Sequence, residues 1–195
     1  MIVSILAIAC SPSLEETWEW DDTLDSGKSG TYTDTGENIV EDPYFRVNAT
    51  DYENWVYLAL EEEETFSLST PESDDSWDIG IKRYQFKLNS SIHGSSSVSA
   101  LVVEDIEYED LLEAPNGEYQ IDLPDANEDT VPEYALAEWY DYDISTHILT
   151  PKESFYVIQN RNNLYFKFRI IDYYDAAGTP GMLSIEWEEI LPPTQ

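Results

Sequence analysis

The sequence predicts an all-β domain, mostly antiparallel sheet or sandwich, with minor helix at most. Three observations lead there. Apolar residues recur with a period of two over many short segments, Gly, Pro, Asn and Asp cluster between those segments, and no long segment holds a helical period. A chain of 195 residues that is 42% hydrophobic can build one such domain together with a tail.

The elements follow in order. Residues 1–10 are apolar, with small residues before Cys10, and resemble the lipobox of a bacterial lipoprotein signal. Lipidation at Cys10 would tether the chain to a membrane. No Lys or Arg precedes the run, and it is shorter than a usual signal core, so an ordinary cysteine behind an apolar N-terminus is the alternative. Residues 11–43 are rich in Asp, Glu, Ser, Thr and Gly without periodicity, and predict a disordered acidic tether in which Trp18 and Trp20 have no assigned role. The domain is predicted over 44–191.

Within it, residues 54–60 place Trp55 and Tyr57 on one parity and Val56, Leu58 and Leu60 on the other, a strand covered on both faces. The following Glu61, Glu62, Glu63 and Glu64 read as a solvated strand end or turn, and residues 71–75 as a turn. Residues 76–89 predict the longest strand. Trp77, Ile79 and Ile81 share one parity and Tyr84, Phe86 and Leu88 the other, so a bulge or a passage between sheets is expected near Arg83. Residues 90–97 form a small polar loop suited to mobility or to close approach of a ligand. A short strand is expected over 98–103, a helix or acidic loop over 104–113, and a strand over 139–143, where aromatic and acidic residues alternate. Residues 145–147 turn the chain towards the C-terminal meander.

That meander carries the strongest pattern. Phe166, Phe168 and Ile170 alternate with Tyr165, Lys167, Arg169 and Ile171, giving a strand with one core face and one mixed face. Residues 155–159 fold back on it over residues 160–163, because Asn tolerates positive φ. After the Gly and Pro of residues 175–181, Leu183, Ile185 and Trp187 alternate with Met182, Ser184, Glu186 and Glu188 as a third antiparallel strand. One core is expected from Trp77, Ile79, Ile81, Phe166, Phe168, Ile170, Ile185 and Trp187.

Composition removes several functions. With 41 acidic and 9 basic residues the net charge is −32, which repels nucleic acid and anionic lipid and favours cationic partners, or serves solubility alone. A single cysteine forms no intramolecular disulfide, and no Cys/His cluster has zinc spacing. No later apolar run approaches the roughly 20 residues of a membrane-spanning helix. Catalytic motifs such as Gly-x-Ser-x-Gly, His-Glu-x-x-His or a phosphate-cradling glycine loop are missing, and among 41 acids a close carboxylate pair carries no signal for glycosidase chemistry. The sequence therefore reads as a binding protein and not as an enzyme.

Three candidate ligand sets remain. Asp125, Asn127 and Asp129 have the spacing of a calcium loop, but Thr130 stands where the loop needs Gly and Leu136 where it needs Glu, which favours a plain acidic turn over calcium. Lys82, Arg83, Lys87, Lys167 and Arg169 are five of the nine cations, on two predicted strands expected to share a sheet region. They would receive ligand carboxylates or neutralise neighbouring acids. His93 and His147 are the only imidazoles, both in loops, with Met182 as a soft ligand beyond the start methionine. They are polar surface residues, or, if they converge on one iron, an axial haem pair.

A series of motifs points further: Ser76-Trp77-Asp78-Ile79, Lys82-Arg83-Tyr84, Asn89-Ser90, Trp139-Tyr140-x-Tyr142, Leu149-Thr150-Pro151-Lys152, Tyr156-Val157-Ile158, Tyr165-x-Lys167-Phe168, Asp172-Tyr173-Tyr174 and Gly181. In this order they resemble the HmuY family over roughly residues 44–190. The resemblance implies an all-β, mostly antiparallel lipoprotein domain of the bacterial outer membrane, whose best-known members bind haem and pass it to an outer-membrane receptor. No haem ligand carries over by motif, so His93 and His147 as iron ligands, with Lys167 and Arg169 meeting the propionates, rest on composition. The expectation is a haem-binding protein anchored through lipid on Cys10, on the periplasmic face or the cell surface, that hands haem to a receptor. A structural, adhesive or glycan-binding surface module is the second reading, and an enzyme the third.

Overall fold

The computed structural model describes residues 43–125 and 131–194. Cys10, the tether, Trp18 and Trp20, as well as Asn127 and Asp129 of the calcium-like loop, lie outside the described residues. Among the described residues eleven strands run β1 (Phe45–Asn48), β2 (Val56–Ala59), β3 (Glu64–Phe66), β4 (Ile79–Lys82), β5 (Gln85–Leu88), β6 (Ser99–Val103), β7 (Tyr140–Asp143), β8 (Ile148–Pro151), β9 (Phe155–Gln159), β10 (Tyr165–Tyr174) and β11 (Pro180–Ile190). Two single 3-10 turns, Pro71–Ser73 and Tyr108–Asp110, are the helical content of the described residues. The fold is all-β and antiparallel. A five-stranded sheet has the order β1-β11-β10-β9-β6, a four-stranded sheet β3-β2-β4-β5, and β7 pairs with β8 alone. No helix among the described residues is long and apolar enough to cross a membrane.

The C-terminal meander forms as its pattern predicts. Phe168 lies opposite Tyr156 on one side and Trp187 on the other. The β9–β10 turn is held by Asn160, whose Oδ1 accepts from the backbone of Asn162 and Leu164, both at 2.9 Å, while Asn163 takes the positive φ of 61°. Phe166, Phe168 and Ile170 then pack with Leu183 and Ile185 against Leu58, Ile79, Ile81, Phe86 and Leu88 of the smaller sheet. Phe86 meets Phe168 edge-on at 6.3 Å, so the two sheets are joined through their apolar faces. The opposite, mixed face of β10 is covered too, by a second cluster built on Val103, Tyr108, Leu111, Phe155, Val157 and Ile190.

Three expectations are corrected. Residues 76–89 are not one bulged strand. Lys82 pairs with Gln85 across a two-residue turn of Arg83 and Tyr84, with Arg83 at φ 55°, so β4 and β5 are a hairpin. Reversal of the chain brings Ile81 opposite Phe86 and Ile79 opposite Leu88 on one face, and the switch of parity is the turn itself. Trp77 is fully buried but not in the inter-sheet core. It precedes β4, where the chain is still bending, and packs edge-on against Tyr57 at 4.9 Å, its indole Nε1 donating to the Pro71 carbonyl at 3.1 Å. Third, the five cations do not share a sheet region: Lys82 and Lys87 are in the four-stranded sheet, with Arg83 in its β4–β5 turn, whereas Lys167 and Arg169 are in the five-stranded one.

Candidate functional site

An aromatic groove of about 240 Å³ opens where the β4–β5 hairpin, residues 131–137 and the base of β7 meet; Tyr84, Phe86, Tyr134 and Tyr140 line it, together with Val131, Pro132 and Glu133. Trp139 builds it from beneath. Its indole Nε1 donates to the Tyr84 carbonyl at 3.0 Å, and its ring meets Phe86 at 5.8 Å and Tyr140 at 4.8 Å, which ties β7 to the β4–β5 turn. Asp122 fixes the far wall. Its fully buried carboxylate accepts from the backbone of Leu88 at 2.7 Å and of Ala135 at 2.8 Å, joining β5 to the segment that carries Tyr134. Burial pushes the Asp122 carboxyl up to about 6, against those two donors.

Beyond Tyr140 the β7–β8 hairpin presents Tyr142, Ile144 and Ile148 to solvent. Its turn is shaped locally: Asp143 Oδ1 accepts from the Ser145 backbone at 2.8 Å, and His147 sits at φ 60° with its N–H donating to the Asp143 carbonyl at 2.7 Å. The Tyr174 hydroxyl accepts from the Leu149 backbone at 3.1 Å and anchors the hairpin to β10.

The two histidines occupy different environments. The ring of His93 stacks on Tyr134 with centroids 5.5 Å apart, and its Nε2 is buried 3.7 Å from Asp122 Oδ2 without a hydrogen-bond partner. Burial first, and the Lys87 charge second, push His93 down to about 4, so its imidazole is neutral at neutral pH. His147 is exposed, with Nδ1 hydrogen-bonded to the Tyr142 hydroxyl at 2.5 Å. Each imidazole is one aromatic ring from the groove: His93 is stacked on Tyr134, and His147 is bonded to Tyr142, two residues along β7 from Tyr140 and on the same strand face.

The loop carrying His93 is pinned and not free. The buried Asn89 donates from Nδ2 to the carbonyls of Trp77 at 2.8 Å and Asp74 at 3.1 Å, and its Oδ1 accepts from the Ser96 backbone at 3.2 Å. A Cβ on Gly94 would lie 1.7 Å from that Oδ1, so the close approach anticipated for this loop is to the protein's own Asn89.

Cations divide between two kinds of surroundings. Lys167 pairs with Glu188 at 2.8 Å and lies 4.7 Å over the Tyr108 ring. Arg169 pairs with Glu186 at 2.8 Å and Glu109 at 3.1 Å and borders an 830 Å³ hollow lined by Glu104, Asp105, Glu107, Asp110 and Glu153. That hollow is acidic, and each of the two cations is already paired with glutamate. Lys87 is 6% exposed, and its Nζ lies 4.4 Å over Trp55, 5.0 Å over Tyr57 and 5.5 Å over Trp77, donating to the Tyr57 hydroxyl at 3.2 Å. Burial pushes Lys87 down to about 8 and Tyr57 up to about 12. Lys82 lies 4.8 Å over Trp55. Arg83 donates from Nη1 to the carbonyls of Thr50 at 3.1 Å and Pro180 at 2.7 Å. Among the described residues, Lys82, Arg83 and Lys87 meet no carboxylate at ion-pair distance, and no three His, Cys, Asp or Glu converge as a metal site.

Sequence reasoning named both imidazoles but missed the groove between their neighbours. The alternation in Trp139-Tyr140-Asp141-Tyr142 was its one visible sign, whereas Asp122 is one acid among 41 with nothing to mark it.

A family model described as HmuY protein matches residues 51–187. Among solved structures, a Bacteroides fragilis protein provisionally described as a lipoprotein aligns with a TM-score of 0.57 at 22% identity, over 77% of this chain and 89% of that one. A Bacteroides vulgatus protein provisionally described as HmuY-like and haem-binding gives 0.54 at 20% identity, over 73% and 88%. The apo HmuY analogue of Tannerella forsythia gives 0.58 at 17% identity, over 76% and 94%. At these identities the likeness is one of fold. No curated protein matches the sequence.

Proposed function

The chain belongs to the HmuY family, and on that premise we propose that it binds haem as cargo in the aromatic groove beside the β7–β8 hairpin. The observation that carries the reading is the groove itself, walled by Tyr84, Phe86, Tyr134 and Tyr140, with one imidazole a single ring away on either side. A largely apolar macrocycle gains affinity mainly from such walls. At about 240 Å³ the groove is smaller than the roughly 300–1,000 Å³ of sites that enclose a ligand. The ring therefore lies against an open face, to which Tyr142, Ile144 and Ile148 add apolar surface.

Of the two imidazoles, His147 is the one that suits an iron porphyrin. His147 has Nδ1 held by Tyr142, an arrangement that fixes the ring and leaves Nε2 for a metal. His93 is neutral, as a ligand must be, but its Nε2 is buried beside Asp122 and its ring is stacked on Tyr134. Lys167 and Arg169, each already paired with glutamate, have no part in this reading. The haem reading extends to tethering through lipid on Cys10 and delivery to an outer-membrane receptor. The small residues before Cys10 and the lipoprotein description of the Bacteroides fragilis neighbour support the tether. Palmitate-analogue labelling that persists in Cys10→Ser would remove it.

Titration with haemin tests the reading. A saturable Soret change at micromolar haemin is expected, with the band position altered in His147→Ala. If wild-type protein gives no saturable change, haem binding fails and the surface-interaction reading replaces it.

A further inference from the structure

We infer that Arg83 is the anion-recognition residue of this face, its unbonded guanidinium edge taking a carboxylate of the ligand whose apolar body lies on Tyr84 and Phe86. The inference rests on the groove being the ligand site, and it names the ligand chemistry: a flat apolar body with a pendant carboxylate.

Charge surroundings single this residue out. In a chain of net charge −32, the described acids pair with Lys152 at 3.2 Å, Arg161 at 2.6 and 2.7 Å, Lys167 at 2.8 Å and Arg169 at 2.8 and 3.1 Å. Lys82, Arg83 and Lys87 have no such partner among the described residues. Of these, Lys87 is enclosed by rings and Lys82 lies over Trp55, whereas Arg83, partly buried like Lys82, stands in the turn directly before the groove-lining Tyr84.

Geometry prepares the guanidinium without neutralising it. Nη1 is used twice, on the carbonyls of Thr50 and Pro180, and the Arg83 backbone N–H donates to the Ala49 carbonyl at 2.9 Å. Carbonyls orient a cation but do not cancel its charge. Nε and Nη2 make no hydrogen bond with the described residues, and together they are the planar fork that matches a carboxylate. The guanidinium carbon lies 4.4 Å from the ring centroid of Tyr52 and 5.9 Å from that of Tyr173, so aromatic faces hold it in place without cancelling its charge. A polyanion is disfavoured by the net charge, so one or two carboxylates on an apolar frame is the class that suits both the fork and the groove.

The test compares haemin with haemin dimethyl ester, which keeps the ring and iron but lacks free carboxylates, on the full-length protein. Wild type is expected to bind haemin about tenfold or more tightly than the ester, in line with one charge-assisted contact. Arg83→Gln should erase that ratio and Arg83→Lys should keep part of it. Because the readout is a ratio within each variant, a loss of fold stability does not imitate it. Equal weakening of both ligands in Arg83→Gln, or no change in the haemin ratio, overturns the inference while leaving haem binding intact. If wild type binds neither, the haem reading fails by itself, and the Arg83 Nε–H resonance is followed against protoporphyrin IX. A saturable shift that the dimethyl ester of protoporphyrin IX does not give supports the carboxylate site, and an unmoved resonance or an equal shift with the ester overturns it.

Discussion

Lys87 and Lys167 occupy the same local pattern, a lysine between two apolar residues that face the core, in Phe86-Lys87-Leu88 and Phe166-Lys167-Phe168. Both are almost fully buried, at 6% and 2% exposure. Their environments are nevertheless opposite. Lys167 is in register with Glu188 on β11, and a carboxylate 2.8 Å away compensates its charge. Lys87 is in register with Gly80 on β4, where there is no side chain to pair with, and it lies across that glycine into a cage of Trp55, Tyr57 and Trp77. A Cβ on Gly80 would meet Lys87 Cε at 2.7 Å, so the bare position is what lets the lysine fold flat. The strand pattern specifies that a lysine points away from the core. The residue across the ladder then decides whether its charge is cancelled by an acid or held on π faces.

The largest expected effect comes from removing what the two lysine-bearing strands share. Phe168 adjoins Lys167 and touches Phe86, the neighbour of Lys87. Phe168→Ala should cost about 3–5 kcal/mol by chemical denaturation. A loss below about 1 kcal/mol would show that the sheets are not packed through this ring.

A smaller effect separates the two lysines. Glu188→Ala strands Lys167 without its carboxylate and is expected to cost about 1–3 kcal/mol. Lys87→Met removes a buried charge that has no acid partner, and at neutral pH it should be neutral or stabilising in the same assay. If Lys87→Met proves the more damaging of the two, the aromatic cage compensates charge as well as a carboxylate does and the contrast collapses.

The smallest effect is a slope with pH. Lys87 has its folded-state value lowered from 10.5 to about 8, chiefly by burial. A lowered value for a lysine means that its stabilising contribution is fully present above the unfolded value and is lost as pH falls through about 8. Relative to Lys87→Met, wild type should therefore gain stability between pH 8 and 10. Tyr57, pushed up to about 12, stays protonated across that window. Parallel stability curves for the two proteins would mean that Lys87 is as well solvated as a surface lysine.

The period of two in residues 164–174 and 182–188, together with the Asn-rich turn before them, determined β9, β10 and β11 and the inward facing of Phe166, Phe168, Ile170 and Ile185. These are local consequences of backbone pleating and φ preference, and they are written in adjacent residues. The family resemblance was legible for the same reason, as an ordered run of strand segments.

The tertiary structure alone decided the rest. Arg83-Tyr84 carries no Gly, Asn or Asp to announce a two-residue turn, and only the pairing of Lys82 with Gln85 separates a hairpin from a bulge. The groove joins Tyr84, Tyr134 and Tyr140, and its wall hangs on Asp122 reaching Leu88 and Ala135, contacts between segments that no short-range pattern links. Which of the cations remained without an acid depended on cross-strand register and sheet membership. Strand direction and side-chain alternation are set by each residue and its neighbours, whereas register, burial and charge compensation are set by whichever distant segment the chain brings alongside.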